Sequence, residues 1–469
     1  MSHFAPVRQQ DPMSRLCEMV VDTKYEDLPS NVIDYAKKSI LDTMAVTIGG
    51  SDMEGISSVV DLVKGKGGKP ESMIPFYGGK VPASEAAFVI GPMARAMDMG
   101  NVHEEAGHCS EFTVPALLAA TGLRSKISGK EFINAFVVGQ EVLLRIGKAF
   151  RVYEGILRGR GAGHAIFGAV ASVGKLLGLD LEEMENAEGI ARGMTQPHDM
   201  AMFDPPTLMI RIYHGLVCQD AINACLLAKR GITGPRGMVS DVLLGPKGYL
   251  AFASWQTDPS ALIEGLGVKW ELLNVSMKLY ACCKVTHTSI DGLLDQMKEH
   301  QIDVEDIDHI DLDESSLTWS SVCIPEEEKR NPKSVAECQF SLPYAVATAA
   351  YDKNVFPNSY TPQARARQDV RELMTKISMK EDSSLTPLAA RVSITLKNSR
   401  RYSKVCVHAK GHPQKPFTEK DLINKFRKCV SYSVYKLNDR TVDSLIKTIL
   451  DLENVNDVVS HLLHPLTPM

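Results

Sequence analysis

The chain has 469 residues, 44% hydrophobic and 23% charged, with a formal net charge of −5. That is an ordinary soluble composition, and the length exceeds one typical core, so two domains are expected. The mildly acidic balance gives no field to attract nucleic acid, no apolar run approaches the roughly 18 residues a membrane span needs, and any acidic substrate would require a local basic pocket.

The opening Met1-Ser-His-Phe-Ala-Pro6 lacks a basic flank and an apolar stretch, so no secretory signal is expected and the location reads as cytoplasmic. The ten cysteines are dispersed, without a C-x-x-C pair, and read as reduced thiols. Ser30 opens a helical pattern carrying Ile33, Ala36, Ile40 and Met44, stopped by Gly49-Gly50. Next comes Asp98-Met-Gly-Asn-Val-His103-Glu-Glu-Ala-Gly-His108-Cys-Ser110, with two histidines and three carboxylates in eleven residues. Acid/base chemistry, a metal site and a polar surface loop are all open readings here. The five-residue spacing of His103 and His108 is wrong for two imidazoles on one helical face, which needs four.

The stretches Pro115 to Gly122 and Ala165 to Leu177 suggest closely packed helices, and Ser128 with Glu131 forms a capping-box pattern before Phe132, Phe136, Val142 and Ile146. Glu141 and Arg145 read as an i,i+4 pair rather than as catalysts. Gly159-Arg-Gly-Ala-Gly-His164 allows backbone to approach an anion, but is not a G-x-G-x-x-G fingerprint, so no nucleotide is expected. Asp180 with Glu183 starts another helix. Met194, Met200, Met202 and Met209 read as gap-filling core residues. In Arg211-Ile-Tyr-His-Gly215, Arg211 could fork onto a carboxylate or simply lie on the surface.

The densest chemistry lies in Lys278-Leu-Tyr280-Ala-Cys-Cys-Lys-Val-Thr-His287, just before a helical pattern of Ile290, Leu293, Leu294 and Met297. His287 falls near that helix start, where an anion is favoured, and lysine, tyrosine and histidine together suit a carboxylate. A short strand leading into an ordinary core helix is the alternative. Beyond it, Ile307 to Leu312 reads as a strand, and Ala390 to Lys397 with Tyr402 to Ala409 as a hairpin around Asn398-Ser-Arg-Arg401. Glu326 to Arg330 reads as a solvated face, Thr418 with Asp421 as a cap for C-terminal helices, and His461 and His464 as part of a frayed tail.

In this order the motifs resemble the MmgE/PrpD family, whose members include 2-methylcitrate dehydratase, cis-aconitate decarboxylase and iminodisuccinate epimerase. Ala96-Met-Asp98 with His108 is similar to its first acidic and histidine segment, and Gly161-Ala-Gly-His164-Ala to its second histidine segment. Arg211-Ile-Tyr-His-Gly215 is similar to its basic-residue-to-glycine helix, and Lys278-x-Tyr280-x-Cys-Cys-x-x-x-His287 to the signature opening the lid. Lys333-Ser and Ala336-x-x-x-Phe-Ser-Leu-Pro-Tyr344-Ala resemble a lid segment. The resemblance implies a mainly α protein, with a large helical domain (1–271), an α+β lid (272–412) and C-terminal helices (413–469) returning to the first. It also implies a homodimer that uses no cofactor or metal, a small di- or tricarboxylic acid as substrate, and a site between the domains.

Asp98, His108, His164, Lys278 and Tyr280 are the expected catalytic residues, with Arg211, His287 and His103 expected to bind substrate. Dehydration, decarboxylation and epimerisation next to a carboxylate all build a carbanion-like centre. That requires a base of near-neutral pKa, which histidine supplies, and fixed positive charge from Lys278 and Arg211. The chain departs from the family pattern at Gly100-Asn-Val102, at His108-Cys-Ser110, at Ile210 where a lysine is common, and near Glu328, where the decarboxylase has a tyrosine. These losses count against decarboxylation in particular. The alternatives are a non-catalytic scaffold on the same fold and a metal-dependent hydrolase using the His103/His108 loop.

Overall fold

The computed structural model describes residues 11–149, 162–195, 206–235 and 258–467. Gly159 to Gly161, Met200 and Met202 lie outside the described residues. The architecture is mainly α, with small sheets. Through residue 228 the helices are α1 (Pro12–Asp22), α2 (Ser30–Gly49), α3 (Ile56–Lys66), α4 (Ala83–Ala96), α5 (Ser110–Ala120), α6 (Gly129–Ala149), α7 (Ala165–Leu177), α8 (Leu181–Met194) and α9 (Met209–Ala228). Their boundaries follow local chemistry. The Ser128 amide donates to Glu131 Oε2 at 2.8 Å and the Glu131 amide to Ser128 Oγ at 3.3 Å, while Asp180 and Glu183 exchange the same bonds before α8. Helices α4 and α9 pack along each other, because Gly91 and Gly215 face across the crossing. A Cβ on Gly91 would sit 2.8 Å from Gly215 Cα.

Two-residue strands interrupt this helical part: β1 (Ser72–Met73) pairs with β2 (Lys80–Val81), while β3 (Val102–His103) pairs with β4 (Gly107–His108) and with β5 (Val275–Ser276). Strands this short carry no alternation, so the sequence pattern could not show them. The rest of the chain has a four-stranded sheet ordered β7-β6-β8-β9, from β6 (Ile307–Glu314), β7 (Ile377–Glu381), β8 (Ala390–Leu396) and β9 (Arg401–Cys406). Ile310 and Leu312 lie opposite Ile394 and Val392 in register, and all four are buried. Helix α10 (His287–Glu299) covers this sheet.

The hairpin forms as expected, with its second strand ending at Cys406 rather than near Ala409. Strand β7 is parallel to β6 and escaped the pattern because Ile377 is its one buried residue. Helix α11 (Leu342–Asp352) packs on α12 (Gln368–Thr375). Helix α13 (Glu419–Val430), capped by Thr418 and Asp421, packs against α2, as does α14 (Asp439–Leu450).

Three surface readings change. The tail is docked rather than frayed: Leu462, Leu463 and Leu466 are buried, and the Leu466 carbonyl accepts from the Phe76 amide. In 326–330 the glutamates are exposed but Lys329 is buried, and Arg330 donates to the Met374 and Ile377 carbonyls at 2.8 Å. Met209, the first residue of α9, is 47% exposed rather than filling a core gap. All ten cysteines are free thiols.

The Gly91–Gly215 crossing generates a test. On an open helix Gly→Ala stabilises by about 1 kcal/mol; at Gly215 the methyl would meet Pro92 Cδ at 2.8 Å and the Phe88 carbonyl closer still. Gly215→Ala is expected to destabilise by about 1–3 kcal/mol, read as a lower midpoint in urea unfolding. A raised midpoint would mean the helices do not cross there.

Candidate active site

Helix α4 ends just before Asp98, which takes a left-handed backbone with φ of 52°. That bend turns its carboxylate back onto the Arg95 guanidinium, which donates to Oδ1. Lys278 Nζ reaches the same oxygen at 2.9 Å from a segment 180 residues later. All three side chains are buried. The β4-β3-β5 sheet makes the meeting possible: Val102 lies opposite both His108 and Ser276, so the chain entering at Ser276 delivers Lys278 two residues on. Burial pushes the Asp98 carboxyl up, but Arg95 and Lys278 hold it below the usual carboxylate range.

His108 ends β4 and Glu111 lies in the first turn of α5, where the helix N-terminus favours a carboxylate. His108 Nδ1 is 2.6 Å from Glu111 Oε2; the imidazole is 25% exposed and the carboxylate 0%. His214 Nε2 approaches the same oxygen at 3.5 Å, and its ring stacks on Phe112 at 4.1 Å. Burial lowers the pKa of both rings, that of His214 to about 4, and Glu111 opposes this. Burial pushes the Glu111 carboxyl up, but His108, His214 and Arg95 together hold it well below its ordinary range.

His164 opens α7, and its Nε2 lies 3.0 Å from the Ala106 carbonyl oxygen, in the hairpin turn that leads to His108. Gly147 leaves the space for this ring, since a Cβ there would be 2.8 Å from Nε2. His103 is tied into the same turn: Nδ1 accepts from the Glu105 and Ala106 amides at 3.2 Å, and Nε2 faces Glu271 at 3.6 Å. Both its ring nitrogens are therefore engaged within the protein.

Tyr280 and His287 are buried together, ring centroids 5.1 Å apart. The Tyr280 hydroxyl donates to Asp291 Oδ1 at 2.7 Å, and His287 Nε2 lies 3.4 Å from the Cys282 carbonyl. His287 starts α10, as its spacing predicts, but the segment before it is irregular with a helical turn over Lys284–Thr286 rather than a strand. Lys284 Nζ is buried without a hydrogen-bond partner. Burial and then Lys278 push it down to about 8. Arg211 is buried rather than on the surface, donating to the Glu54 carbonyl at 2.5 Å. Burial lowers it to about 10, so it stays cationic at neutral pH.

The structure thus brings Asp98 to Lys278, and His164 to the hairpin turn that carries His108, and adds residues that the motif reading left unassigned: Arg95, Glu111, His214 and Lys284. Glu111 and His214 had a weak signal, each three residues after a singled-out position, His108 at the end of β4 and Arg211 on α9. Among the described residues, two groups could hold a cation: His108, Glu111 and His214, and separately Glu104, His408 and His412. His103 belongs to neither.

The departures also find structural places. Asn101 Oδ1 accepts from the Ser110 amide and the Cys109 thiol, both at 3.2 Å, capping α5. Val102 holds the small sheet together, and buried Ile210 offers its carbonyl to His214 Nδ1 at 3.2 Å.

The model of the MmgE/PrpD N-terminal domain matches residues 14–261, and that of the MmgE/PrpD C-terminal domain matches 280–452. The chain is 25% identical over 470 residues to cis-aconitate decarboxylase of Aspergillus terreus, covering 95% of this chain and 94% of that one. It is 25% identical over 475 residues to the cis-aconitate decarboxylase-like protein oryM of Aspergillus oryzae, 95% of each. Against mouse cis-aconitate decarboxylase it is 26% identical over 459 residues, 94% of this chain and 90% of the relative.

Asp98→Asn keeps the left-handed backbone accessible but leaves Arg95 and Lys278 buried without their counter-charge. We expect a loss of about 3–5 kcal/mol in chemical unfolding at neutral pH. Because the folded pKa of Asp98 lies below the unfolded one, the difference from wild type should be full above about pH 5 and fade as acid protonates the folded carboxyl. A loss under about 1 kcal/mol at pH 7 would show the triad is not balanced by this charge.

Proposed function

Because this chain belongs to the MmgE/PrpD family, we propose that it is an acid/base lyase for a small di- or tricarboxylic acid, with decarboxylation the first reaction to test. The observation that carries the reading is electrostatic. Buried Arg95 and Lys278 share the single Asp98 carboxylate, buried Arg211 lies within the same field, and Lys284 Nζ is buried beside Lys278 without a hydrogen-bond partner. Unneutralised buried charge is expensive, and a substrate dianion would supply the missing negative charge. The family often carries a lysine where this chain has Ile210, and Lys284 offers a replacement cation. The decarboxylase names of the relatives support that reaction ahead of dehydration and epimerisation.

In decarboxylation the electron pair of the breaking C–C bond stays on the substrate as an enolate-like centre beside a remaining carboxylate. Lys278, with Arg211, stabilises that growing charge. A histidine then returns a proton to carbon, with His108 and His164 the candidates, while Tyr280, buried against Asp291, supports the wall of the site. His103, held by the Glu105 and Ala106 amides, and His287, buried beside Tyr280, brace the site from within the protein in this reading. The proposal includes the partition 1–271, 272–412 and 413–469, supported by the packing of α13 and α14 on α2. It also includes a cytoplasmic homodimer; among the described residues no helix is long and apolar enough to cross a membrane.

The test is incubation with cis-aconitate, following carbon dioxide and product, beside a panel of dicarboxylic acids in deuterated buffer. Turnover or exchange is expected, and His108→Gln and His164→Gln should each lower it by about 10²–10⁴. Lys278→Ala should lower turnover if it stabilises developing charge and raise KM alone if it only binds. Absence of turnover and exchange with every acid would favour a non-catalytic scaffold. Near-normal rates in both histidine variants would reject the proton-transfer assignment.

A further inference from the structure

We infer that Glu111 is the positioning residue for His108, holding its Nδ1 proton so that the Nε2 lone pair is presented outward as the base. The inference rests on the acid/base reading above and adds to it a residue the sequence motifs did not assign. One close contact argues for it, and its surroundings agree. His108 Nδ1 lies 2.6 Å from Glu111 Oε2 in an ion-pair contact without hydrogen-bond alignment, a separation that two facing lone pairs do not tolerate, and an ionised carboxylate can only accept. Nδ1 therefore carries the proton, and Nε2, which has no hydrogen-bond partner among the described residues, is left as the acceptor.

The neighbours make Glu111 specific to His108. His214 Nδ1 lies 3.2 Å from the Ile210 carbonyl, an oxygen that only accepts, so in the neutral ring the proton is on Nδ1. His214 Nε2, 3.5 Å from Glu111, then has none to give. Gly100 leaves the room that the carboxylate fills: a Cβ there would be 2.5 Å from Glu111 Cγ and would overlap the carboxylate itself. The departure at Gly100 thus becomes a requirement of Glu111. The exposure gradient has the same direction, with Glu111 sealed, His214 5% exposed and His108 25% exposed. Only the last has an edge a substrate can reach.

The charged or titratable groups facing His108 are Glu111 on α5, His214 on α9, Arg95 and Asp98 at the end of α4, and Lys278 beyond β5. Of this set Glu111 makes the charged contact with the ring, at 2.6 Å, while His214 meets it edge-on with centroids 5.9 Å apart. When Nε2 takes a proton from substrate carbon, the C–H electron pair remains as the enolate-like centre, and Glu111 stabilises the imidazolium. The reverse step returns a proton from Nε2 to the same carbon, and exchange of that Nε2 proton with solvent in between is what deuterium incorporation reads. A metal held by His108, Glu111 and His214 fits less well. Bonds of about 2.1 Å would hold the donor atoms roughly 3 Å or more apart, beyond the observed contact.

The experiment is a titration of ¹³C-labelled histidine by NMR, with the His108 resonance assigned from His108→Gln, in wild type and Glu111→Gln. Removing an adjacent opposite charge should lower the His108 midpoint by about one unit or more. Deuterium exchange of a responsive dicarboxylic acid should then lose about 10- to 100-fold in kcat with KM little changed, the usual cost of removing a group that orients a functional imidazole, and its acidic limb should move the same way. Glu111→Asp, which keeps the charge but shortens the reach, should recover part of the shift, and it decides the matter if Glu111→Gln does not fold. An unmoved His108 midpoint in the variant that folds would overturn the inference, as would one equivalent of tightly held divalent metal that Glu111→Gln loses. A shifted midpoint together with normal turnover in His108→Gln would leave the positioning intact and remove the proposed base, so the two readings fail separately.

Discussion

Arg95, Asp98 and Lys278 come from two stretches of chain separated by about 180 residues and meet with almost no water around them. Two cations share one carboxylate, a costly arrangement that survives because each member is bonded. The triad needs α4 to stop at Ala96, Asp98 to adopt a positive φ, and the β3–β5 pairing to bring Lys278 within reach. The C-terminal part of the chain joins the same construction. Lys425 on α13 donates to Asp42 at 2.6 Å and to the Met99 carbonyl at 2.7 Å, bracing the residue next to Asp98 from behind.

A second buried network aligns the segment that leads into β5. Arg145 on α6 pairs with Glu141 at 2.7 Å and donates to the Glu264 and Lys269 carbonyls at 3.0 and 2.8 Å. Glu141 in turn accepts from the Glu271 amide at 2.9 Å. Burial raises the Glu141 carboxyl to about 7, with Arg145 opposing. The pair is the i,i+4 contact its spacing suggests, but it is fully buried and organises loop backbone, a role a solvated pair could not have. Glu271 then faces His103 at 3.6 Å and accepts from Lys148 at 2.8 Å, and His103 and Lys148 hold its carboxyl well below the usual range.

The departures from the family pattern look like losses in a linear reading and like exchanges in three dimensions. Gly100 gives up a side chain and gains the Glu111 carboxylate in its space. Asn101 becomes a helix cap, Ile210 is buried in the core, and Lys284 brings a buried cation beside Lys278. A polar group removed from one position is matched by another arriving from a different element, and spacing along the chain cannot show that.

The sequence by itself determined the class of fold and most of its helices. Periodic apolar faces and capping pairs at Ser128, Asp180 and Thr418 are local, so they need only neighbouring residues to be read. The ordered motifs also pointed to the family and to Asp98, His108, His164 and Lys278. Tertiary structure alone decided which of these groups touch. Whether His103 faces substrate or Glu271, whether Arg211 lies on the surface or inside, and which carboxylate meets His108 all depend on contacts between elements far apart in the chain. The two-residue strands were illegible for the same reason, since their stability comes from pairing partners and not from any pattern of their own.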